Sequence, residues 1–556
     1  MTEFGYGRSI DLEFPDRVDW VLGRILERRA ETHADVLFLN WCQLEKLTFS
    51  EANARVNRYA HGLAAAGVKW GDKMALFLPN SLEYVLVWFA LSKLGAVEVP
   101  INVHYRRSFL EHALTVSGVS WVLTDERMLD TLAECEAAAL RGLQAVLVRD
   151  VNEAPTWSRP ADPLPPLLAL SSMLHADDTN PGVPVSYNDP AGILFTSGTT
   201  GPAKAVQMSH SHMYFFAQQC VELVRLSAGD VYLNPYPMYH GNSQFLTVYP
   251  SLIAGSTAVL MDRFSASRWS GWVRENGVTV VNLLGVSMEY ILNQPPDPDD
   301  DFSSLRTIYA VPRSDALLPK WRERFGEQQF VTSFGQTETG WPLMGPRGEF
   351  PPAGAVGKVV SEWYEVRLVD PETDEEVGVG ELGELVVRSR VPFTMCDGYV
   401  RDGGVDFGPV RNLWWHTGDG MRRDDKGWFY FVDRTNDAMR VRGENVSSFE
   451  VEQAVLSFPG VIECAAVAVA SEVAGGEHEI EVVLVVQDPA SFSPADLIRH
   501  CNAHAPWFAV PRYVRLVEIL PKTPNEKVIK KDLRDTALTA DTWDRVAAGI
   551  TQDRSR

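Results

Sequence analysis

The chain has 556 residues, of which 45% are hydrophobic and 22% charged, and its formal charge is −22. That length exceeds one ordinary domain and suits a large body plus a smaller module. The balance of 51 Lys+Arg against 73 Asp+Glu argues against nucleic-acid binding, which needs a positive surface, and leaves small anionic substrates open.

The first part of the chain, to about Asp130, alternates helical and strand patterns. Val18–Ala30 and Phe49–Ala66 have the apolar period of amphipathic helices. Lys73–Leu78 reads as a strand, Ser81–Leu94 as a helix and Ala96–Ile101 as a strand. This alternation predicts an α/β fold with parallel sheets covered by helices. Val85–Leu94 is apolar but short and interrupted by Lys93, so no membrane span is expected. Glu153–Asp189 is rich in Pro and Asp and reads as a surface connection. A second α/β stretch is expected from Gly192 to about Val331. Tyr364–Leu368, Gly383–Arg388 and Trp428–Val432 predict an antiparallel β module between Gly357 and Asp433.

After Asp437 the pattern changes. Ser448–Phe458 and Ala495–Ala505 read as helices, and Val461–Ala470, Ile480–Gln487 and Tyr513–Val517 as strands. This predicts a separate α+β unit with a boundary near Asp433–Asp437. The cysteines at 42, 135, 220, 396, 464 and 501 show neither CxxC nor zinc spacing, as expected in a reducing compartment. The polar N-terminus has no apolar leader core. These features predict a cytoplasmic protein.

The most informative segment is Thr196-Ser197-Gly198-Thr199-Thr200-Gly201-Pro202-Ala203-Lys204, which follows the apolar run Ile193–Phe195. Glycines let backbone N–H groups approach an anion, hydroxyls add donors and the lysine adds charge. The lysine is not in the GK[ST] setting of a Walker A loop. A polar turn is the ordinary alternative, but an unbroken Thr/Ser/Gly run between a strand and a lysine favours a phosphate cradle.

This segment resembles the TSGTTG-x-PK signature of the adenylate-forming enzymes: acyl-CoA synthetases, firefly-type luciferases and peptide-synthetase adenylation domains. Further matches follow in order: Pro235–Asn242, Ser333–Gly340, Trp415–Asp419, Phe431–Asp437, Arg442–Asn445 and Pro521–Lys531. The stretch RVRGENVSSFEVE is most similar to carnitine/crotonobetaine-type CoA ligases. The resemblance implies a large N-terminal domain, residues 1–433, of two doubly wound α/β subdomains plus a small β module. A small mobile α+β C-terminal domain, residues 434–556, would follow and rotate about a hinge at Asn436.

It also implies substrates and roles: ATP, Mg²⁺, CoA and a small-molecule carboxylic acid or its acyl-AMP. Thr196–Lys204 would grip the β,γ-phosphates, Glu338 would bind Mg²⁺ and Thr337 would meet the α-phosphate. Phe334 would stack on adenine, Gly335 and Gln336 would belong to the same ATP/AMP site, and Asp419 and Arg434 would bind ribose. Lys527 would be the catalytic lysine, and His240 would lie on the acid side. Gly443, Glu444 and Asn445 would line the thiol tunnel. Singly, each has an ordinary reading: a helix-start carboxylate for Glu338, a basic solvated face for Lys527, a turn residue for Asp419, a core histidine for His240. Their joint order favours the functional one.

Departures qualify the match. Tyr309-Ala310-Val311-Pro312-Arg313 replaces the Gly-Ala-Pro adenine wall, and Ala203 replaces a proline. Ala205 and Glu526 stand where glycines are usual. Glu526 puts a carboxylate beside Lys527 and could draw it into pairing. The expected activity is therefore acid–CoA ligation through an acyl-adenylate. A chain that performs only acyl-AMP to acyl-CoA transfer, supplied by a partner ligase, remains an alternative. So do a carrier-protein-loading acyl-AMP ligase, a luciferase-type oxidising enzyme and a non-catalytic nucleotide-binding scaffold. The acyl pocket is expected between the His240 region, Val280–Met288 and Val331–Gly340, with Trp341 and Met344 beside it. Its apolar character suggests a bulky hydrophobic acid, whereas the carnitine-type likeness suggests a polar one. A homodimer is a habit of the family.

Overall fold

The computed structural model of the chain describes residues 12–149, 164–196, 203–297, 300, 302–311, 313, 315, 317–401, 404–434, 438–442, 444–471, 478–521, 528 and 530–552. A nine-stranded sheet runs in the order 404–406, 398–401, 204–209, 190–196, 97–100, 73–77, 121–125, 145–149 and 167–169. Its strands from 97 to 169 pair in parallel, and the helices between them cross over the faces. A seven-stranded sheet runs 329–331, 307–310, 280–283, 231–234, 257–260, 37–41 and 45–48. An eight-stranded sheet, built of strands between 333 and 434, forms the expected antiparallel module. The mixed α/β class predicted from the alternation is present.

Chain order and sheet membership differ at two places. The hairpin Leu37–Thr48 leaves the N-terminal stretch and pairs with Thr257–Leu260 at the edge of the seven-stranded sheet. Pro190–Thr196 and Lys204–Ser209, expected to open the second α/β stretch, belong to the first sheet instead. The apolar periodicity of a strand says which face is buried but not which sheet receives it. The supposed surface connection also contains a short edge strand, Leu167–Ala169, which pairs with Ala145–Arg149.

Local chemistry explains the main helices. Phe49–Ala66 starts with a capping box, in which Thr48 takes the Glu51 N–H and the Glu51 carboxylate takes the Thr48 N–H. Leu82–Leu94 starts at Ser81, whose hydroxyl accepts the Tyr84 N–H. All but Glu83 of this helix is buried, as expected of a helix apolar on every side. Lys93, which interrupts the apolar run, is buried too. Its ammonium donates to Glu27 at 2.8 Å, Asn53 at 2.7 Å and Asn180 at 3.0 Å.

Past residue 438 the strands enter other sheets. Ala438–Val441 and Glu444–Ser447 form a hairpin, and Val461–Ala470, His478–Val486, Tyr513–Leu516 and Trp543–Asp544 form a four-stranded sheet. Its apolar core includes Val451, Ile480, Leu497 and Phe508, and also Phe109 from the helix Arg107–Ser117 of the large body. Burial of that ring joins the two parts.

Glu98, on the central strand Val97–Pro100, is fully buried. One carboxyl oxygen accepts from Gln244 Nε2 at 3.1 Å, and the other has no hydrogen-bond partner. Burial raises its pKa well above the carboxylate range, only partly offset by Gln244. The folded state thus binds a proton that the unfolded chain releases above about pH 4.3, so stability falls as pH rises towards the folded pKa. Glu98→Gln keeps the acceptor and removes the titration. Its melting temperature should exceed that of the parent chain at pH 8, and the difference should shrink towards pH 5 in thermal scans.

Candidate active site

The segment Ser333–Met344 folds as a hairpin of two strands, Ser333–Gln336 and Gly340–Met344. A Cβ at Gly335 would lie 1.9 Å from the Gly340 carbonyl oxygen, so only glycine admits this close crossing. Gly340 has φ +65°, which turns the chain back. Glu338 is thereby placed in the turn and buried. Its Oε1 accepts from Tyr399 Oη at 2.8 Å and from Thr196 Oγ1 at 3.4 Å. Burial and the Glu338 carboxylate raise the Tyr399 pKa far above normal, so the phenol remains a donor.

Thr196 and Lys204 face each other as a cross-strand pair at the root of the predicted phosphate loop. The Lys204 ammonium lies 4.9 Å from the centre of the Tyr399 ring. Burial lowers its pKa, and Glu338 opposes that shift. Glu338, Thr196, Lys204 and Tyr399 therefore form one group. Ala205 is buried in the core of the first sheet, with Phe77 and Val99, so its methyl fills apolar space.

A second group lies on the nucleotide side. Gln336 Nε2 donates to Asp419 Oδ2 at 2.6 Å and to the Thr417 carbonyl at 2.8 Å. Asp419 is buried on the strand Trp414–Arg423 and pairs with Arg434 across the ladder. It is a strand residue, not an ordinary turn residue. The strand just before Asp419 is anchored by Glu384, which accepts the Gly418 N–H at 2.9 Å and contacts His416 Nδ1 at 2.9 Å. Phe334 is half-buried and nearly parallel to Phe431, with ring centres 6.2 Å apart. Thr337 is half-buried in the turn beside Glu338.

His240 caps the short helix Gly241–Ser243. Its Nε2 lies 2.8 Å from Glu444 Oε2, which also accepts from Asn102 Nδ2 at 3.4 Å. Burial opposes ionisation of Glu444, but His240 and His104 outweigh it and hold the carboxyl below its usual range. His240 is not a satisfied core histidine; it meets the segment expected at the thiol tunnel. Ser197, Gly198, Thr199, Thr200, Gly201, Asn436, Gly443, Glu526 and Lys527 lie outside the described residues, as do the side chains of Arg434 and Asn445.

The expected acyl region is more polar than its sequence suggested. Asn282 is buried, accepts from Tyr232 and donates to Thr247 Oγ1 at 3.0 Å. Tyr236 donates to Ser287 Oγ at 2.8 Å and accepts the Leu284 N–H at 2.8 Å. Phe216, Phe245, Tyr309 and Trp341 form an aromatic wall, with centres 5.3 Å apart for Phe216–Phe245, 5.5 Å for Phe216–Trp341 and 5.2 Å for Tyr309–Trp341. Sequence reasoning missed Tyr399, Asn102 and Gln336 as a partner of Asp419. Tyr399 and Asn102 carry no local signal, because long-range pairing brings them to the site.

Comparison with known proteins gives the family and the fold. A family model described as AMP-binding enzyme matches residues 26–400, and one described as AMP-binding enzyme C-terminal domain matches residues 450–527. The chain belongs to the AMP-binding enzyme family and is an enzyme of the AMP-forming acid–thiol ligase class. Crotonobetaine/carnitine–CoA ligases of Shigella dysenteriae and Escherichia coli are 28% identical over 506 residues, 88% of this chain and 93% of theirs. Among solved structures, an o-succinylbenzoate CoA synthetase of Bacillus subtilis matches with a TM-score of 0.76 at 24% identity, covering 92% of this chain and 98% of its own. An amide bond synthetase of Marinactinospora thermotolerans matches with a TM-score of 0.76 at 22% identity, over 92% and 99%.

Tyr399→Phe deletes a donor to a buried carboxylate, a loss of about 1.5–3 kcal/mol for a bond to a charged group. The expected result is a kcat/KM for ATP about 10–100-fold lower in pyrophosphate exchange.

Proposed function

We propose that this enzyme activates a carboxylic acid as its acyl-adenylate and then transfers the acyl group to coenzyme A, releasing AMP. The observation that carries this reading is Glu444 of the C-terminal part, 2.8 Å from His240 on the acid side of the large body. A ligase that performs two reactions at one centre needs its second part to reach that centre, and Glu444 does.

In the first step, a carboxylate oxygen attacks the α-phosphorus of ATP and pyrophosphate leaves. Catalysis of such a step is mostly alignment and charge neutralisation. Thr196–Lys204 holds the β,γ-phosphates, and Thr337 the α-phosphate. Glu338 and Thr196 suit Mg²⁺, a hard cation that takes one or two carboxylates together with phosphate oxygens. Bound there, Mg²⁺ supplies positive charge against the phosphates. Among the described residues no cluster of three or more His, Cys, Asp or Glu could hold a metal without substrate oxygens. Phe334 stacks on adenine, and Asp419, oriented by Gln336, takes the ribose hydroxyls with Arg434. Lys527 meets the α-phosphate and the carboxylate as charge develops.

In the second step, the CoA sulfur displaces AMP from the acyl carbon. Residues 434–556 act as a domain that turns at Asn436 and brings Gly443, Glu444 and Asn445 to the pantetheine. The aromatic wall of Phe216, Phe245, Tyr309 and Trp341 supports a hydrophobic acid with a flat or ring-bearing group. Six unpaired cysteines suit a cytoplasmic setting. No helix among the described residues is long and apolar enough to cross a membrane.

A panel of carboxylic acids tests the proposal by acid-dependent ATP–pyrophosphate exchange and by the mass of the CoA thioester. Both should appear with one class of acid. Lys527→Ala should lower exchange by about 10²–10³-fold, as loss of transition-state charge stabilisation does, while synthetic acyl-AMP and CoA still give thioester. Thioester from acyl-AMP without exchange in the parent chain would favour the half-reaction and a partner ligase. Inertness in both assays would refute the proposal.

A further inference from the structure

The helix Ser448–Leu456 carries Glu450 in its first turn. Glu450 Oε1 accepts the backbone N–H of Ala203 at 3.0 Å. Ala203 immediately precedes Lys204, at the end of the Thr196–Lys204 segment. Its carbonyl oxygen is in turn 2.9 Å from His112 Nε2, on the helix Arg107–Ser117. Both backbone polar groups of Ala203 are therefore taken, one by the large body and one by the C-terminal part.

The contact belongs to a continuous docking surface. Tyr105 is half-buried, and burial first and then the Glu450 and Glu444 carboxylates raise its pKa. Phe109, four residues on, packs into the C-terminal core. His104 meets Trp507 and Phe508 edge-on, at 6.0 and 6.4 Å between ring centres. On this surface Glu444 reaches the acid side at His240 and Glu450 reaches the phosphate side at Ala203.

We infer that Glu450 is a positioning residue for transfer to CoA, and that it seats the C-terminal part by taking an N–H of the phosphate segment once pyrophosphate has gone. This rests on the reading of Thr196–Lys204 as the phosphate site. A carboxylate at Ala203 and a pyrophosphate on the same segment carry like charges, so each disfavours the other. The coupling is reciprocal: bound pyrophosphate opposes docking, and docking opposes pyrophosphate. The second step is then gated by departure of the first step's leaving group, without any residue that touches the acyl carbon.

The full-length chain and its E450A and E450Q variants test this in three assays. These are thioester formation from synthetic acyl-AMP and CoA, ATP–pyrophosphate exchange, and inhibition of thioester formation by added pyrophosphate. E450A should lower the ratio of thioester rate to exchange rate by about tenfold or more, the scale of one lost charged hydrogen bond. E450Q keeps an oxygen acceptor and should recover most of that ratio. Because it lacks the charge, pyrophosphate should inhibit it less than the parent chain. Equal losses in both half-reactions would make Glu450 merely structural and overturn the inference. An unchanged ratio in E450A, or unchanged pyrophosphate inhibition in E450Q, would overturn it as well. A parent chain inert with acyl-AMP and CoA would refute the functional reading and this assignment together. An active parent with an unchanged ratio would refute only the role of Glu450.

Discussion

The Glu338 carboxylate accepts from Tyr399 and Thr196, both in the nine-stranded sheet, while Glu338 itself sits in a hairpin turn of the eight-stranded one. A buried carboxylate is costly unless its oxygens are hydrogen-bonded. These donors therefore fix how the two sheets meet. The Cys396 N–H adds a backbone bond at 2.8 Å to the Glu338 carbonyl. Described residues expected to touch nucleotide are placed relative to this junction. Lys204 stands over Tyr399, Gln336 reaches Asp419 from the strand leading into the turn, and Phe334 faces Phe431 from the same strand.

Among the described residues the site is thus built on strands and a tight turn. Preorganisation of this kind matters when catalysis is alignment and charge placement, because little energy remains to be spent ordering donors during reaction. The C-terminal part contributes in a different way. Among the described residues its contacts with the large body are mixed: a buried ring at Phe109, edge-on aromatic pairs at His104 and carboxylates at His240 and Ala203. Such an interface can hold one arrangement and release it more readily than a continuous apolar core could.

The sequence exposed much of this, because local signals carry local structure. Phe49–Ala66 and Val461–Ala470 lie where periodicity and alternation put them. Ser333–Gly340 was legible as a motif, but the tight hairpin that Gly335 and Gly340 permit emerges only in the structure. Sheet membership was not legible: Leu37–Trp41 and Pro190–Thr196 look like any other half-buried strands, and their partners lie far along the chain. Tyr399 was invisible for the same reason, since it reaches Glu338 only because Gly398–Arg401 pairs with Lys204–Ser209. The polar network around Asn282 and Tyr232 was hidden by its apolar neighbours, because partners in space decide whether a buried amide is satisfied.

The pairing of Leu37–Trp41 with Thr257–Leu260 has a consequence for synthesis. The hairpin leaves the ribosome about 200 residues before the strand that receives it, roughly 10–40 s at ordinary elongation rates. Until then the edge of Leu37–Trp41 that pairs with Thr257–Leu260 has no native partner, although the helix Phe49–Ala66 already packs beside the hairpin, with Phe38 stacked on Phe49. A nascent chain of this design carries an open strand edge while the receiving sheet is still being made. The order of the strands in space, rather than their intrinsic stability, thus sets how long that edge stays open during synthesis.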